Sequence, residues 1–409
     1  MMIEFIKDIL PEGETLLKSH YEAKKVLWDL GLGYESIHAC KNDCILFWKE
    51  HEKDDMCPKC KESRYKRVNV KGKKIPHKVL RYFPLKPRLQ RLFINRKTAS
   101  EMRWHKEKRT TDPEEKVLRH PIDFEAWQEF DKKHGWFADE PRNVRLGLAS
   151  DGFKPFGNMS TTYSMKTVIL IPYNLLPWKC MKEPFFMMCL FIPGLKSPGN
   201  DIDVYLRPLI DELKDLWEDG VETYDASKKE NFQLHATLLW TINDFPAYGN
   251  LSRWSTKDKM LEPKHLSDDD ILTQMEAIKH VEFEKRPNTK KRKVNVNELN
   301  WRKKSIFFEL SYCRTLKLRC NLDVIHIEKN ICENVIGTIM NIEGKIKDTP
   351  KARMDLQNMG IRNELWLVPN GDKYMVPPAC YTLSTDEKKS LCQWLRDVNF
   401  PDGFASNIA

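Results

Sequence analysis

The sequence lacks a long hydrophobic run. No stretch of about 18 apolar residues occurs, although a membrane-spanning helix needs about 20. The first residues, MMIEFIKDILPEGE, carry acids where a secretory signal carries bases, and their apolar run is too short for such a signal. No internal repeat is present. These absences predict a protein that neither spans a membrane nor enters the secretory pathway.

Disulfide bonds are a further expected absence. Eleven cysteines without a secretory signal indicate a reducing compartment, where they remain thiols or bind metal ions. Apolar residues make up 41% and charged residues 31% of the 409 residues, as in globular proteins of two or three domains. The net charge of +9 favours a polyanionic partner, although a merely soluble basic protein would explain the charge equally well.

The hydrophobic pattern predicts a mixed α/β core that begins near Asn143. VRLGLAS, SMKTVILIPY and FFMMCLFIP read as strands, because their β-branched and aromatic residues are bounded by proline and glycine. A helix is predicted over 200–220, a fourth strand at HATLLWTI, and SIFFEL (305–310) is a candidate fifth strand. Further helices are predicted at 13–31 and 322–341.

Two close cysteine pairs indicate a small zinc ribbon or knuckle in the segment 35–65. They are Cys40-x3-Cys44 and Cys57-x2-Cys60, and twelve residues separate them. Such pairs can bring four thiolates into the tetrahedron that structural zinc prefers. His38 and His51 are spare ligands if one cysteine does not bind, and four unrelated buried cysteines are the alternative. The remaining seven cysteines are scattered singly and are predicted to be core residues.

Two aspartates close predicted strands. Asp151 ends the first strand and Asp244 ends the fourth. Strand one is commonly central in a mixed sheet of this order, with strand four beside it, so the two carboxylates would sit at neighbouring strand ends. Such a pair holds divalent cations, because close carboxylates repel unless a counter-charge is present. Turn chemistry is the alternative, since S-D-G and N-D-F-P are ordinary turn sequences.

A third acid lies on the predicted helix 322–341. Glu328 interrupts an apolar stripe, and a carboxylate on an apolar face needs a partner. The stripe consists of Val324, Ile331 and Val335. A metal ion shared with Asp151 and Asp244 would supply that partner. An ion pair with Lys329 or Arg319 is the alternative for Glu328, and Asp323 is the alternative third acid.

Basic and aromatic side chains alternate through residues 71–110, a pattern typical of DNA binding. The predicted DNA-binding residues are Arg81, Lys86, Arg88, Arg91, Arg96, Lys97 and Arg103. A solvated surface and a local aromatic core are the alternatives. A second basic run, KKRK at 290–293, lies in a polar stretch and predicts nuclear import.

Long blocks of this sequence resemble the transposases of plant CACTA (En/Spm) elements. The blocks include KVLRYFPLKPRLQRLF, RNVRLGLASDGFKPFGNMS, IPGLKSPGNDIDVYLRPLIDELKDLWEDGVETYDA, LLWTINDFPAYGNLS and NLDVIHIEKNICENVIGTIMNIEGK. The resemblance implies an RNase H-like DDE transposase that cuts and joins DNA with two metal ions. By this resemblance, the three catalytic acids of the family correspond to Asp151, Asp244 and Glu328, which would bind Mg²⁺ or Mn²⁺.

The resemblance also implies partners and a domain plan. The partners are double-stranded DNA at transposon ends and further copies of the chain on that DNA, with no membrane, in the nucleus. The expected domains are a helical segment (1–34), the zinc module (35–65), a basic DNA-binding region (66–142), the RNase H-like core (143–340) and a C-terminal region (341–409). Relatives carry a Cys/His insertion at a position where this sequence has only STKDKMLEPKHLSDDD. Relatives also continue beyond GFASNIA. A shortened or degenerate copy is therefore expected.

Overall fold

The computed structural model describes residues 19–66, 72, 74–109, 118–153, 164–194, 198–244, 251, 305–342, 344–370 and 373–397. The chain divides into two compact units, with the boundary between Leu322 and Asp323. The described part of the first unit contains a mixed eight-stranded sheet, and that of the second contains three helices and a small hairpin. The predicted mixed α/β class is confirmed.

The first unit contains twelve strands within its described residues. They are β1 (Glu35–Ala39), β2 (Leu46–Phe47), β3 (Tyr65–Lys66), β4 (Ile75–Pro76), β5 (Lys78–Tyr82), β6 (Val144–Phe153), β7 (Ser164–Pro172), β8 (Met187–Gly194), β9 (Val221–Asp225), β10 (Glu230–Leu234), β11 (Ala236–Asn243) and β12 (Cys320–Leu322). The large sheet has the order β12-β11-β6-β7-β8-β5-β1-β2. β3 pairs with β4, and β9 pairs with β10, in two separate hairpin sheets.

Strand direction divides the large sheet into two kinds of pairing. β6, β7 and β8 form an antiparallel meander, and β5, β1 and β2 extend it with antiparallel pairs. On the other side of β6, β11 runs parallel to β6 and β12 runs parallel to β11. The carboxyl ends of β6, β11 and β12 therefore meet at one edge of the sheet, where ligands commonly bind in α/β proteins.

The described part of the first unit contains eight α-helices. They are α1 (His20–Asp29), α2 (Leu85–Ile94), α3 (Arg96–Glu101), α4 (Trp104–Glu107), α5 (Glu125–Lys133), α6 (Gly135–Asp139), α7 (Pro177–Cys180) and α8 (Ile202–Glu218). Short 3₁₀ turns occupy Lys49–His51, Pro121–Asp123, Glu183–Phe185, Gly199–Asp201, Ile306–Glu309 and Ser311–Thr315. The predicted helix over 200–220 is present as α8 and ends before Gly220, whose positive φ suits a helix stop.

Helix α8 forms much of the core beneath the sheet. Its apolar residues recur at helical spacing and are fully buried against β8 and β11. They are Ile202, Leu206, Leu209, Ile210, Leu213 and Leu216. Each such burial stabilises the fold by about 1.5–3 kcal/mol. On β6, Gly147 is required sterically, because a Cβ there would lie 2.1 Å from the Tyr173 hydroxyl.

The predicted fifth strand is wrong in position. SIFFEL forms the 3₁₀ turn Ile306–Glu309, and the strand beside β11 is β12. The reason lies in its spacing, since Ile306 and Leu310 are buried while Phe307, Phe308 and Glu309 between them are not. Four-residue spacing turns one side of a helical segment toward the core, whereas a strand buries alternate residues.

The second unit contains α9 (Val324–Ile339), α10 (Pro350–Asn358), α11 (Thr385–Asp397) and the hairpin of β13 (Val368–Asn370) with β14 (Lys373–Met375). The helix predicted over 322–341 is confirmed as α9. Arg353 is 1% exposed and donates to both carboxylate oxygens of Asp348 and to the Leu365 carbonyl. Tyr381 donates to the same carboxylate at 2.8 Å, so one ion pair links the elements of this unit. No described helix is long and apolar enough to cross a membrane.

Candidate active site and metal centre

Asp151 and Asp244 lie at the carboxyl ends of two neighbouring parallel strands. The register of β6 and β11 pairs Leu148 with Thr241 and Ala149 with Ile242. Continued by two residues, it places Asp244 beside Asp151, at the spacing of about 5 Å that separates neighbouring strands. Asp151 is exposed and its Oδ1 accepts the Gly152 N–H at 2.6 Å. Asp244 is half-buried and directly follows β11.

A buried lysine lies in the electrostatic field of both carboxylates. Lys166 on β7 is paired with Gly152 on β6 and is 4% exposed. Burial lowers the pKa of Lys166, while the carboxylates of Asp244 and Asp151 act in the opposite direction. The strand register therefore brings two of the three predicted acids to neighbouring strand ends, and sequence reasoning missed the buried Lys166 on the adjacent strand β7. No local motif marks Lys166, because only the strand pairing brings it there.

Glu328, the third predicted acid, belongs to the second unit. It is exposed on α9, as are Val324, Ile331 and Val335 of the predicted stripe. Asp323, the alternative acid, is the N-cap of α9, and its Oδ1 accepts the His326 N–H at 3.1 Å. That bond stabilises the helix start. Glu328 as the third acid stays a prediction.

The four predicted cysteines form one cluster. The sulfur atoms of Cys40, Cys44, Cys57 and Cys60 all lie within 4.8 Å of one another. A tetrahedral zinc site with Zn–S bonds of about 2.3 Å has sulfurs about 3.8 Å apart, so the cluster needs little adjustment to accept an ion. Cys40 and Cys57 are buried, and Ile45 with Phe47 packs around them. The cluster could bind a metal such as zinc.

Two tight turns hold the cysteine pairs. In the first, Cys40 N–H donates to the Ile45 carbonyl at 3.0 Å and Asp43 has a φ of +58°. In the second, Cys57 N–H donates to the Glu62 carbonyl at 2.9 Å and Lys61 has a φ of +58°. Each turn points both sulfurs of its pair to one side. The C-P-K-C spacing is thus explained by a turn, as the sequence predicts.

Backbone N–H groups of these turns are directed at cysteine sulfurs, where they stabilise the thiolate form that binds a cation. The Asn42 N–H points at Cys40 Sγ at 3.4 Å. Burial opposes ionisation of Cys60, but the Glu62 N–H and neighbouring groups lower its pKa to about 7. Burial raises the pKa of Cys40 to about 11, and burial with the charge of Cys40 raises that of Cys44. Cys40 and Cys44 thus resist ionisation while no cation is near, and a bound metal ion would compensate the charge of their thiolates.

The two spare histidine ligands are engaged elsewhere. His38 Nδ1 accepts from Arg64 Nε at 2.8 Å, and burial lowers the pKa of His38. His51 Nδ1 lies 2.9 Å from Asp54 Oδ2. Within the described residues, the candidate metal-binding group consists of the four cysteines alone.

Side chains near the cysteine cluster attach it to the core of the first unit. Asp43 lies between the first two cysteines and accepts from Lys78 Nζ at 2.6 and 2.7 Å and from the Tyr205 hydroxyl at 2.5 Å. Lys49 donates to Asp211 at 2.6 Å. Two of these partners, Tyr205 and Asp211, lie on α8, which packs against β8 and against β11, the strand that leads to Asp244. Sequence spacing gave no signal for these contacts.

The predicted DNA-binding residues occupy different environments. Arg103 is 6% exposed, and its guanidinium donates to Asp225 at 3.0 Å and Ser227 at 2.8 Å. Lys86 donates to Asp215 at 2.9 Å. These partners give Arg103 a structural role inside the first unit, whereas Lys86 remains half-exposed.

The other five basic residues lie nearer the surface. Arg88 and Arg91 donate to the carbonyls of Leu32 and Leu30, which follow α1, each at 3.3 Å. Arg81 lies over the Tyr34 and Phe191 rings, while Arg96 and Lys97 on α3 are exposed. The aromatic neighbours Tyr82 and Phe93 are buried, as the local-core alternative predicts. The KKRK run at 290–293 lies outside the described residues.

Residues 115–298 match the model of the transposase family tnp2. This stretch is less than half of the chain, and it contains Asp151 and Asp244 but neither the cysteine cluster nor Glu328. The match supports a transposase family for this protein. No curated protein matches the chain significantly.

Proposed function

We propose that this chain is the core of a DNA transposase of the CACTA (En/Spm) class, with an RNase H-like fold and a metal-dependent site at Asp151 and Asp244. The observation that carries the proposal is the parallel pairing of β6 with β11, whose register, continued by two residues, would bring Asp151 and Asp244 to neighbouring strand ends. The match of residues 115–298 to a transposase family supports it. So does the mixed order of the five strands β8-β7-β6-β11-β12, with α8 between β8 and β11.

The chemistry follows from carboxylates that hold cations. Asp151 and Asp244 would hold Mg²⁺ or Mn²⁺, which would supply positive charge at the attacking and leaving oxygens of a DNA phosphate. Glu328 stays the third acid that the family resemblance implies. The carboxylates orient the site and do not attack the phosphate themselves. The open, exposed position of Asp151 gives a large polyanion access to this edge.

Nicking of supercoiled plasmid by the full chain with Mg²⁺ or Mn²⁺ tests this proposal. We expect Asp151→Asn and Asp244→Asn each to lower the nicking rate at least about a hundredfold, because each removes a ligand charge. Asp139→Asn is the matched control, since the Asp139 side chain is 87% exposed and precedes the amino end of β6, whereas the two acids lie at the carboxyl ends of their strands. Undiminished nicking by Asp151→Asn would contradict the assignment.

A DNA-binding protein without catalysis is the second candidate function. The exposed basic pair Arg96 and Lys97 favours it, because these cations are available to DNA whether or not the acids hold metal ions. Duplex binding in a gel-shift assay together with no nicking at any metal concentration would establish this alternative.

The remaining elements of the proposal concern the cysteine cluster and the setting of the protein. We assign zinc to Cys40, Cys44, Cys57 and Cys60, double-stranded transposon ends as the DNA partner, assembly with further copies on that DNA, and a nuclear location. Native mass spectrometry that shows one zinc per chain would support the first assignment. A reporter fused to residues 284–298 that stays outside the nucleus would contradict an import signal at 290–293.

A further inference from the structure

The turn between β9 and β10 carries two lysines to which the proposed chemistry gives no role. Lys228 and Lys229 are both exposed, and Lys229 has a φ of +59°. At the start of the turn, the Ala226 N–H donates to the carbonyl of Phe93 in α2 at 3.0 Å. The turn is therefore attached to the body of the first unit, and its two lysines face solvent.

A buried aspartate holds this turn in shape. Asp225 is 0% exposed, and its Oδ1 accepts from the Ser227 N–H at 2.8 Å, the Ser227 hydroxyl at 2.6 Å and the Lys228 N–H at 3.2 Å. Aspartate side chains commonly stabilise turns through such bonds. Its Oδ2 accepts from Arg103 at 3.0 Å and lies 3.5 Å from Arg142. Because two arginines compensate the buried carboxylate, the turn presents its lysines on a fixed support.

The same turn packs against α3, whose first residues Arg96 and Lys97 are exposed. Arg103 follows α3, and its Nη1 donates both to the Ser227 hydroxyl at 2.8 Å and to the Ala99 carbonyl of α3 at 3.3 Å. One guanidinium thus joins the turn to α3. The exposed cations of the two segments form one surface of the first unit, called the hairpin patch below. Its members are Arg96, Lys97, Lys228 and Lys229.

The acids around the hairpin patch are paired with cations outside it. Glu140 and Glu230 accept from Arg142 at 2.7 and 2.8 Å, and Glu107 accepts from Arg103 at 2.8 Å. The four cations of the patch make no ion pair within the part of the chain that the structure describes. The buried arginines therefore neutralise the local acids, and the patch keeps a net positive charge toward solvent.

The hairpin patch is remote from the acidic edge of the sheet. Arg142, which pairs with Glu230 beside the turn, precedes the amino end of β6 by two residues. Asp151 lies nine residues after Arg142, near the carboxyl end of the same strand. Nine extended residues span roughly 30 Å at about 3.3 Å each. The patch therefore takes no part in metal binding at Asp151.

We propose that the hairpin patch is a DNA-contact surface, which holds the phosphate backbone of a duplex at the opposite end of β6 from the acidic edge. Lysine and arginine side chains without fixed partners neutralise phosphates and release counterions, and they need not read bases. Lysine is depleted in protein–protein interfaces, so an acidic protein suits this patch less well. The inference rests on the proposed function only in taking DNA as the partner.

Anisotropy titrations of duplex DNA with the full chain, without added Mg²⁺ or Mn²⁺, test the patch independently of catalysis. Lys228→Gln with Lys229→Gln should lower the slope of log affinity against log salt by about 1.8, since each phosphate contact contributes about 0.9. Adding Arg96→Gln and Lys97→Gln should bring the loss to about 3.6, because all four cations contact one duplex. If the two pairs formed separate sites, each pair variant would leave the slope of the other site intact.

The matched control is Lys389→Gln with Arg396→Gln, which changes two exposed cations of α11 and should leave the slope unchanged. Lysine and glutamine place the same Cβ at the positive φ of residue 229, so the backbone strain there is the same in both. We therefore expect the hairpin variant to melt at the Tm of the wild type, and its lower slope then reports lost DNA contacts.

An unchanged slope in the hairpin variant overturns the inference, and so does a fourfold variant whose slope equals that of the α3 pair alone. Polyglutamate that displaces duplex from the wild type, and binds the hairpin variant more weakly, would assign the patch to an acidic protein instead. Expected slopes without plasmid nicking by the wild type would remove the proposed catalysis and leave the patch in place. A wild type that binds no duplex would contradict both.

Discussion

The cysteine cluster and the acidic edge of the sheet are assembled from the chain in different ways. All four cysteines lie within residues 40–60, and two local turns orient their sulfurs. Asp151 and Asp244 lie at the ends of β6 and β11, with β7 to β10 between them in the chain, and only the sheet register brings them together. The first site is nearly closed by its own backbone, whereas the second is open and depends on the whole sheet.

The difference shows which kind of stability each site needs. The cysteine turns have little hydrophobic core of their own, with Ile45 and Phe47 as their buried apolar residues. The strands that carry the acids lie in a continuous core whose residues extend along the chain from Ile37 to Leu316. We therefore expect the cysteine cluster to depend on its metal and the acidic edge to keep its geometry without one. The following predictions test this comparison.

The largest effect is expected from Cys57→Ser with Cys60→Ser. Loss of a structural zinc removes a binding free energy of about 10–16 kcal/mol, as in zinc-finger peptides, and the turns at 40–60 should then unfold. Hydrogen exchange should rise sharply in that segment while β6, β7 and β11 remain protected. Native mass spectrometry should show that the bound zinc is lost.

Cys392→Ser is the control for that variant, because Cys392 is exposed and lies in the second unit. It should keep the zinc and the exchange pattern of the wild type. A Cys57→Ser, Cys60→Ser chain with unchanged protection across 40–60 would show that the cluster is held by packing rather than by metal, and the comparison would fail.

Arg103→Met should give the next largest effect. Its guanidinium compensates Asp225, which is 0% exposed, and removal of one partner of such a buried pair costs about 3–5 kcal/mol. Arg142 lies 3.5 Å from the same carboxylate and should reduce the loss toward the lower value. Urea denaturation at neutral pH measures the change.

Lys108→Met, which changes an exposed lysine, is the matched control for Arg103→Met. It should alter the free energy of unfolding by no more than about 0.5 kcal/mol. Equal stability of Arg103→Met and Lys108→Met would show that the Arg103–Asp225 pair contributes nothing. The DNA-binding role predicted from the sequence would then be the better explanation for Arg103.

Local patterns in the sequence predicted the parts of the molecule that local physics determines. The paired cysteines, the strands at Val144 and Ser164, helix α8 and helix α9 follow from spacing, β-branched content and helix stops. Lys166 and Asp43 escaped prediction because their partners are distant in sequence. SIFFEL was assigned to a strand since its composition suits one, but its buried positions follow helical spacing. The hairpin of β9 and β10 was also missed.

The sequence pattern overestimated how many basic residues are available to bind DNA. Basic residues in 71–110 were treated as one DNA-binding set, yet Arg103 compensates a buried aspartate and Lys86 pairs with Asp215. Charge density along a chain does not show which cations are already paired, because the acids that neutralise them come from β9 and α8. The structure leaves Arg96 and Lys97 as the exposed members of the predicted set on α3.

A more gradual effect is expected from acid, and it distinguishes the core from the cysteine cluster. Burial lowers the pKa of His105 to about 3 and that of His120 to about 4, from about 6.5 in the unfolded chain. Because these pKa values are lower in the folded state, the unfolded chain binds protons at a higher pH than the folded protein does. Their stabilising contribution is complete above pH 6.5 and is lost as the pH falls toward about 4, by up to about 2.7 kcal/mol per pH unit for two protons.

Urea unfolding at a series of pH values between 7 and 5 measures that slope, with zinc release followed separately by a chromophoric chelator. His105→Gln should lower the slope by up to about 1.4 kcal/mol per pH unit, the contribution of one proton, whereas His77→Gln, which changes a half-buried histidine near the surface, should not alter it. An unchanged slope in His105→Gln would assign the acid sensitivity to the cysteine cluster instead of the core.

The smallest effect on stability, and a specific effect on binding, is expected from Arg96→Gln with Lys97→Gln. Both side chains are exposed on α3 and their loss removes no buried contact, so the free energy of unfolding should change by less than about 0.5 kcal/mol. If both contact phosphates, the slope of log affinity against log salt should decrease by about 1.8, since each phosphate contact contributes about 0.9. Lys389→Gln with Arg396→Gln, which changes two exposed cations of α11, is the control and should leave the slope unchanged. A fluorescence anisotropy titration of duplex DNA between low and moderate salt gives both slopes. Equal slopes for the wild type and the α3 variant would place the DNA contact away from α3, and the acidic edge would then need another basic surface to bring DNA to it.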